Sequence, residues 1–474
     1  MALELMESVK AACGTDFLIE LQLSGCEDDP RGYSLLDFVE FCQLFDRYAD
    51  ILQLRAPTVD LAHVNSYISS KEEPSTLEYA RALKAAGLKH TLVAPVGGFQ
   101  DPDIMERHLR EGSADLIALA RAFICDDQFG QKILEQRGED IVPCLRCDRC
   151  HQAYCTTNPK VSIASYWDNM FQAAPKQKRI AVVGGPAGMT AAAAAAERGH
   201  QVTLYEAADT LGGQLLHADY LSREKWALLD LKNYMIRQVE QKQNIQVLLS
   251  TRATPELLSH ENFDAVIATY GSVPKPAPVA LPQNVKAWAL ITVFGHEQEL
   301  GHHVAVVGGG MAAVDTALYL RDTGHQVTMI TRQDRPGYDC SSHSAMYISQ
   351  QLMKLFDVVT DAEIRSVQPG EITCVVQKKP RPGPPGMEQS PIGPPKEIRV
   401  TFDSLVFSAG RRACTDACMA FSSVAPESRV IGDASILSDK NNGDGHGEIP
   451  RSDGTVHGDL RHCFFTAYTA TNAL

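Results

Sequence analysis

Four cysteines lie within one short stretch of the sequence: Cys144, Cys147, Cys150 and Cys155. Their close spacing suits thiolate ligation of a metal, either a 4Fe-4S iron–sulfur cluster or a tetrahedral zinc ion. The chain has 13 cysteines in all, an odd number with this one tight cluster. Such a distribution favours metal ligation in a reducing compartment over a disulfide framework. An iron–sulfur cluster, a zinc ion and a segment without metal are the alternatives that the spacing leaves open.

A glycine-rich turn follows a short apolar run that begins at Arg179. Glycines would let the backbone approach a pyrophosphate, and the start of the following alanine-rich helix would favour its negative charge. The next apolar run ends in Glu206, where a ribose hydroxyl pair would be bound. Strand, turn, helix and acid together favour a dinucleotide site over a plain glycine turn. The residues of this first turn are Gly184, Gly185, Pro186, Ala187 and Gly188.

A second turn of the same kind follows the apolar run 304–307, with Gly308, Gly310 and Ala313 in GxGxxA spacing. The strand after it ends in Thr-Arg rather than in an acid. Without a carboxylate there, Arg332 would accommodate a ribose 2′-phosphate, which favours NADPH over NADH. The alternative is that Arg332 is a solvated surface charge.

The elements that would position these residues follow from the apolar patterns. Up to residue 143, strand-like and helix-like patterns alternate in four βα units, the last of which begins with a strand over 115–119. Such alternation indicates a parallel sheet, and a closed (β/α)8 barrel needs twice as many units. A polar linker runs to about residue 177, and βαβ units then continue to the end. Two stretches, 378–396 and 439–459, are predicted loops because of their Pro, Gly and polar content.

Charge and composition argue against several classes of protein. The formal net charge is −14, which disfavours a nucleic-acid binder and a protein bound to an anionic membrane surface. The sequence shows no signal peptide, and its most apolar helical stretch is too short to span a bilayer. We therefore expect a cytoplasmic protein.

From residue 178 onward the chain resembles the two-dinucleotide-domain flavoprotein reductases of the glutathione-reductase type. The resemblance rests on four motifs in the family's order: a loop after the ribose acid, an ATG-like turn, a returning strand and a late Gly-Asp motif. It implies FAD at the first turn and the nicotinamide nucleotide at the second, with Asp433 contacting the ribityl chain. One departure is that the first glycine turn is one residue shorter than in that family. The matching positions are Gly213, Gln214, Thr269, Gly271, Gly410, Gly432 and Asp433.

Over its whole length the chain resembles the 2,4-dienoyl-CoA reductase and trimethylamine dehydrogenase family, the long branch of the old yellow enzymes. In that family the loop matching Gly97 and Gly98 holds the FMN phosphate, together with the residues matching Ala120 and Arg121. Gln22 stands where the family has an arginine that contacts FMN. The resemblance also implies a 4Fe-4S cluster at the four cysteines, although the last cysteine follows after fewer residues here.

Two further expectations concern catalysis and completeness. His63 matches an active-site histidine of the family, and a loop histidine without a catalytic role is the alternative. The family's first four barrel strands have no counterpart in this sequence. Half a barrel would leave unpaired edge strands. We therefore expect either a homo-oligomer or another chain that completes the barrel.

The predicted fold class is α/β, a partial (β/α)8 TIM-barrel half followed by two Rossmann-like domains for FAD and NAD(P)H. The family resemblance implies reduction of an activated C=C bond in a small unsaturated carbonyl compound or thioester, using NADPH or NADH, FAD, the cluster and FMN. An FAD-only diaphorase and a non-catalytic subunit or remnant are the alternatives. The expected segments are 1–143 for the half barrel, 144–177 for the cysteines and linker, 178–290 and 401–474 for the FAD domain, and 291–400 for the NAD(P)H domain.

Overall fold

The computed structural model describes residues 1–474 except 28–30, 57–70, 162–171, 222–224, 341, 379–392, 436–454, 457–459 and 473. The chain divides into two compact units. Unit 1 comprises residues 1–158 together with 223–234, and unit 2 comprises residues 159–222 and 235–474. Most of the two predicted loops and all of the segment around His63 lie outside the described residues.

Unit 1 contains a parallel sheet with the strand order β1-β2-β3. Helices alternate with these strands as the sequence predicts. Short 3-10 helices at Gly138–Asp140 and Arg149–Gln152 follow the last α-helix. The strands and α-helices are β1 Glu20–Ser24, β2 Ile51–Arg55, β3 Leu92–Pro95, α1 Ala2–Cys13, α2 Leu35–Phe45, α3 Thr76–Ala86, α4 Pro102–Arg110, α5 Arg121–Cys125 and α6 Phe129–Leu134.

Local side-chain chemistry fixes the ends of these elements. Ser34 and Asp37 form a reciprocal capping box at the start of α2, which satisfies backbone donors that have no partner in the helix. At the other end of α2, the Asp46 carboxylate accepts hydrogen bonds from three successive backbone amides, residues 89–91, just before β3. The helix is thereby tied to the entry of the neighbouring strand.

The fourth strand predicted in unit 1 is reduced to a single bridge, in which Ala118 pairs in parallel with Val96. The backbone amides of Asp115 and Leu116 both donate to the carbonyl oxygen of Val93. The Val93 amide in turn donates to the Asp115 carboxylate at 2.9 Å and not to a backbone carbonyl of this segment, so the backbone ladder is not continued there. The prediction of a strand over 115–119 is therefore wrong in extent, although the segment runs beside β3 as expected.

Unit 2 contains two parallel five-stranded sheets, in the orders β18-β7-β4-β5-β6 and β12-β11-β10-β16-β9. Two antiparallel sheets of three strands, β13-β14-β15 and β19-β17-β8, accompany them. The strands are β4 Arg179–Val183, β5 Gln201–Tyr205, β6 Ile245–Leu248, β7 Ala265–Ala268, β8 Ser272–Pro274, β9 Ala287–Ala289, β10 His303–Val307, β11 Gln326–Ile330, β12 Asp357–Val359, β13 Ala362–Gln368, β14 Glu371–Val376, β15 Lys396–Thr401, β16 Ser404–Phe407, β17 Arg411–Ala413, β18 Glu427–Val430 and β19 Thr455–Val456.

The helices of this unit connect and cover the parallel sheets. Strands β4 and β7 are apolar and almost wholly buried, as parallel strands covered on both faces must be. The helix after β4 is rich in alanine, and its small side chains allow close contact with the last helix of the chain. The α-helices are α7 Gly185–Glu197, α8 Trp226–Glu240, of which residues 226–234 belong to unit 1, α9 Pro255–Ser259, α10 Met311–Asp322, α11 Ser342–Leu355, α12 Thr415–Met419 and α13 Leu460–Asn472.

The predicted fold class is confirmed: a barrel-type α/β segment precedes Rossmann-like nucleotide-binding architecture. The second parallel sheet is inserted within the first in chain order, because β18 follows it in sequence and pairs with β7 of the first sheet. No helix within the described part of the chain is long and apolar enough to cross a membrane.

Candidate functional site

The first glycine turn joins β4 to α7 and depends on close backbone approaches. A Cβ on Gly188 would lie 2.6 Å from the carbonyl oxygen of Val183, which real Cβ atoms do not tolerate. Gly213 has φ +53°, and a Cβ there would lie 3.0 Å from the Cα of Gly185. Gly185 itself has φ +77°. Glycine is therefore required for this cradle, in which Pro186 and Ala187 form the first turn of α7.

Glu206 lies directly after β5 and turns its carboxylate onto the first glycine turn. Its Oε1 accepts a hydrogen bond of 3.0 Å from the Ala208 amide, and its Oε2 accepts one of 3.3 Å from the Gly185 amide. A Cβ on Gly184 would lie 2.5 Å from the same Oε2. The acid is thus beside the turn where the sequence predicts a ribose ligand, and it also satisfies one amide of the shortened turn.

A buried polar cluster lies just after the carboxyl ends of β7 and β18 of this sheet. Asp433 is 4% exposed, and its Oδ2 accepts a hydrogen bond of 2.6 Å from the Ser272 hydroxyl. That hydroxyl accepts in turn from Arg411 Nε at 2.8 Å. The second carboxylate oxygen, Oδ1, is buried and has no hydrogen-bond partner among the described residues. An orphaned acceptor of this kind fits a hydroxyl-bearing ligand such as the ribityl chain of FAD.

Ser272 and Arg411 were not singled out from the sequence. Burial lowers the pKa of Arg411, although Asp433 lies nearby and acts in the opposite direction. The remaining predicted positions surround these elements. The Thr269 hydroxyl contacts the carbonyl oxygens of Val183 and Gly184. Three of the predicted glycines adopt left-handed φ values: Gly271, Gly410 and Gly432. A Cβ on Gly271 would lie 3.9 Å from the side-chain amide nitrogen of Gln214.

The second glycine turn joins β10 to α10. Gly308 has φ +150°, and a Cβ there would lie 2.6 Å from the Cβ of Ser408 and 3.2 Å from that of Ala313. Gly310 precedes the first helical residue, Met311. The Met311 amide donates a hydrogen bond of 2.8 Å to Oδ1 of Asp339, a residue that sequence reasoning missed.

Arg332, the residue expected to favour a 2′-phosphate, is exposed just after β11. It follows Thr331, whose backbone amide donates to the carbonyl oxygen of Val359 in β12. The Arg332 charge is therefore accessible to solvent at the end of β11.

In unit 1, the loop after β3 and the start of α5 form a cationic corner. Gly97 and Gly98 have φ +105° and +88°, and a Cβ on Gly98 would lie 2.8 Å from the Cβ of Pro74. Arg146 donates a short hydrogen bond to the carbonyl oxygen of Gly98. Arg121 follows Ala120 at the start of α5, and its Nη1 is buried without a hydrogen-bond partner among the described residues.

The two guanidinium groups of this corner influence each other. Burial lowers the pKa of Arg146 to about 10, and the nearby charge of Arg121 acts in the same direction. A dianionic phosphate would relieve this repulsion and would satisfy the buried Nη1, so these residues fit the FMN phosphate. The sequence does not predict this role for Arg146, because the surrounding pattern of cysteines indicates only metal ligation.

Gln22 does not reach this corner through any described contact. It lies on β1 and donates a short hydrogen bond to Oε1 of Gln53 on β2. Gln53 donates in turn to Glu20 at 2.7 Å. This polar row lies on the opposite face of the sheet from Leu52 and Leu54, which belong to the core of unit 1. The catalytic prediction for His63 falls outside the described residues.

The cysteine segment has ligand chemistry but not a metal-binding arrangement. A fifth thiol, Cys125 at the end of α5, lies 3.6 Å from Cys155, sulfur to sulfur. Hydrogen bonding to Cys125 holds the pKa values of Cys144 and Cys155 below the usual thiol range. Burial raises the pKa values of Cys147 and Cys150.

Two of the four predicted ligands therefore favour the thiolate form that iron or zinc requires. In the part of the chain that the structure describes, however, no group of three or more His, Cys, Asp or Glu side chains is arranged to hold a metal ion. The donor set fits a metal centre chemically, whereas the placement of its side chains does not. Sequence reasoning missed Cys125 because it lies far outside the cysteine motif.

Family models match both units of the sequence. Residues 178–428 match the pyridine nucleotide-disulphide oxidoreductase family, and residues 1–140 match the NADH:flavin oxidoreductase / NADH oxidase family. The first match covers more than half of the chain, so the protein belongs to the pyridine nucleotide-disulphide oxidoreductase family. The combination of both families is the one expected from the resemblance to 2,4-dienoyl-CoA reductase and trimethylamine dehydrogenase, and that prediction is confirmed.

Relatives with described activities are similar over much of the chain. An NADH oxidase of Thermoanaerobacter brockii is 29% identical over 74% of this chain and 56% of its own length. A cinnamate reductase of Clostridium sporogenes is 25% identical over 70% of this chain and 52% of its own. The chain thus spans about half the length of the relatives it matches.

Solved structures show the same fold. A complex of 2-naphthoyl-CoA reductase with 2-naphthoyl-CoA superposes with a TM-score of 0.81 at 21% identity, over 100% of this chain and 68% of the other. Histamine dehydrogenase from Rhizobium sp. 4-9 gives a TM-score of 0.80 at 21% identity, with the same coverage. At this level of identity the likeness establishes the architecture.

Proposed function

We propose that this chain is an NAD(P)H-dependent flavin oxidoreductase that reduces an activated C=C bond in an unsaturated carbonyl compound or thioester. The observation that carries the flavin part is the buried Oδ1 of Asp433, an acceptor with no hydrogen-bond partner among the described residues. The substrate class is taken from relatives whose names are cinnamate reductase and 2-naphthoyl-CoA reductase. When bound, the two flavins would supply hydride chemistry, FAD with NAD(P)H and FMN with the substrate, and a cluster held by the four cysteines of the motif would supply single-electron transfer between them, with the proton taken up separately at FMN.

In unit 2 the protein's own contribution is binding and orientation. The first glycine turn and the start of α7 would hold the FAD pyrophosphate, with Glu206 at the ribose. Asp433 would accept from a ribityl hydroxyl, while the Ser272 hydroxyl, itself hydrogen-bonded by Arg411, keeps its carboxylate oriented. The second glycine turn, before α10, would hold the pyrophosphate of NAD(P)H.

In unit 1, Arg121, Arg146 and the backbone of Gly98 would bind the FMN phosphate. In barrel enzymes the phosphate site is frequently formed by the loops after the last two strands and the start of a short helix. The four cysteines of the motif remain candidate cluster ligands, and binding iron would require their side chains to converge. A second copy or another chain that completes the barrel is part of this proposal.

An FAD-only diaphorase is a second candidate, favoured by two observations. The cysteine side chains do not converge on a metal in the described part of the chain. Gln22 also offers an exposed amide where the family presents an arginine to the flavin. Such a protein would pass reducing equivalents from NAD(P)H to a small acceptor without any chemistry in unit 1.

Cofactor analysis distinguishes the two candidates. The protein is purified anaerobically and its FMN, FAD and iron are quantified per chain. Equal FMN and FAD with about four irons supports the ene-reductase proposal. FAD alone leaves the diaphorase, and absence of both flavins contradicts both candidates. Replacing Asp433 by Ala should remove FAD, whereas the same change at the solvent-exposed Asp16 should not.

A further inference from the structure

The second glycine turn carries an acidic side chain at the place where an incoming pyrophosphate would bind. Asp339 Oδ1 accepts the hydrogen bond of the Met311 amide at 2.8 Å, at the very start of α10. Its other oxygen, Oδ2, lies 2.8 Å from where a Cβ on Gly310 would stand. Both carboxylate oxygens thus contact the turn, and Oδ2 occupies space that a side chain at position 310 would need.

Asp339 is held there by its own backbone and not only by the side-chain contact. Gly337 donates its amide to the carbonyl oxygen of Gly309 at 2.7 Å, which joins the segment after β11 directly to the glycine turn. Gly337 has φ +69°, a conformation that favours glycine. The Ser349 hydroxyl on α11 donates to the carbonyl oxygen of Pro336 at 2.7 Å. The segment just before Asp339 is therefore anchored both to the glycine turn and to α11.

Asp339 differs from the ribose acid of the first turn. Glu206 lies immediately after its strand, where a carboxylate is expected to meet ribose hydroxyls. The corresponding place in the second domain is occupied by Thr331 and Arg332, and Asp339 follows after a further stretch of chain. Its carboxylate meets the helix start itself, where backbone amides and the helix dipole favour an anion.

We propose that Asp339 is a tethered anion that competes with the pyrophosphate of NAD(P)H for the start of α10 and so sets the affinity of the second domain. Nucleotide binding must displace the carboxylate from the Met311 amide or accept it as a close like charge. The inference rests on the proposed NAD(P)H site and adds to it a residue that determines affinity. Asp339 acts on binding and is not a catalytic residue.

The test measures binding of NADP⁺ and NAD⁺ to the full-length, flavin-loaded protein by calorimetry, so that no turnover is needed. Asp339→Asn removes the charge but keeps an oxygen that can accept from the Met311 amide. Asp322→Asn is the matched control, because Asp322 ends the same helix and pairs with Arg321 at 2.6 Å. Circular dichroism and the unfolding midpoint establish that each variant is folded.

Removing a like charge a few ångströms from a pyrophosphate should tighten binding about tenfold or more, with the gain shrinking at high salt. We expect this for Asp339→Asn and no change for Asp322→Asn. Inorganic pyrophosphate should also compete more strongly for the Asn variant. If the parent protein binds nucleotide and Asp339→Asn binds it equally or more weakly, the inference is overturned while the proposed function stands. If no variant binds either nucleotide, both are overturned.

Discussion

Gly188 offers the sharpest test of the first nucleotide turn. In Gly188→Ala the new Cβ would lie 2.6 Å from the carbonyl oxygen of Val183 and 3.2 Å from the Thr269 hydroxyl. Contacts between carbon and a carbonyl oxygen are seldom shorter than about 3.3 Å. The start of α7 must therefore move away from β4 by about 0.7 Å, because the obstacle is backbone rather than a flexible side chain.

The expected effect on stability is small and that on flavin binding is large. Overpacking costs about 1–3 kcal/mol, and the better helix propensity of alanine returns up to about 1 kcal/mol. A displaced helix start would break at least one amide hydrogen bond to the pyrophosphate, which is worth about 1.5–3 kcal/mol to a charged group. That loss corresponds to a Kd for FAD raised about tenfold to hundredfold.

The assay is titration of flavin-free protein with FAD, followed by flavin fluorescence, with the unfolding midpoint measured in parallel. Gly393→Ala is the matched control, because a Cβ there meets no atom of the described residues within 4 Å. The reasoning is refuted if Gly188→Ala binds FAD as tightly as Gly393→Ala does. It is also refuted if the variant loses FAD only by unfolding, since the predicted displacement is local.

Three further outcomes follow from contacts in unit 1. Arg121→Met should lower FMN content while FAD is retained, measured by acid release of both flavins; equal loss of the two would contradict a phosphate role. Partial burial raises the pKa of Asp46, but three backbone amides outweigh it and hold that pKa below its usual value. The Asp46 carboxylate therefore stabilises the folded state above its ordinary pKa of about 4, and this stabilisation is lost as pH falls through the lower pKa of the folded state. The free energy of unfolding should accordingly decrease less steeply with falling pH in Asp46→Asn than in the parent protein. Cys125→Ala should raise the pKa values of Cys144 and Cys155 and slow their alkylation near pH 7 in iron-free protein, and an unchanged rate would show that the hydrogen bonds do not matter.

Sequence patterns predict those features that depend on backbone geometry which only a few residues permit. The two glycine turns could be located because Gly188 and Gly308 each stand where a Cβ would collide with a neighbouring segment. The buried strands β4 and β10 likewise appear as apolar runs, since parallel strands are covered on both faces. The family resemblance then supplied the flavin and nucleotide assignments, which spacing alone does not give.

The residues that were missed act through contacts between distant parts of the chain. Cys125 meets Cys155 from the end of another helix, and Asp339 reaches the start of α10 from beyond the next strand. Neither residue belongs to a local motif, so the spacing of residues in the sequence does not predict its role. Likewise, the fourth strand is limited where the Val93 amide donates to the Asp115 carboxylate instead of a backbone carbonyl, a contact that an apolar pattern does not predict.

Unit 1 is built from two separate segments of the chain, which affects the order in which the protein folds during synthesis. Trp226 and Asp230 belong to this unit, where Arg146 stacks on the indole at 4.5 Å and Lys71 pairs with the carboxylate at 3.0 Å. A ribosome adds about 5–20 residues per second, so residues 1–158 wait several seconds for these partners. Meanwhile the nascent barrel segment carries Arg146 without its aromatic partner. A fragment ended at Asn158 should therefore be more readily cleaved by proteases than the same residues within the whole chain.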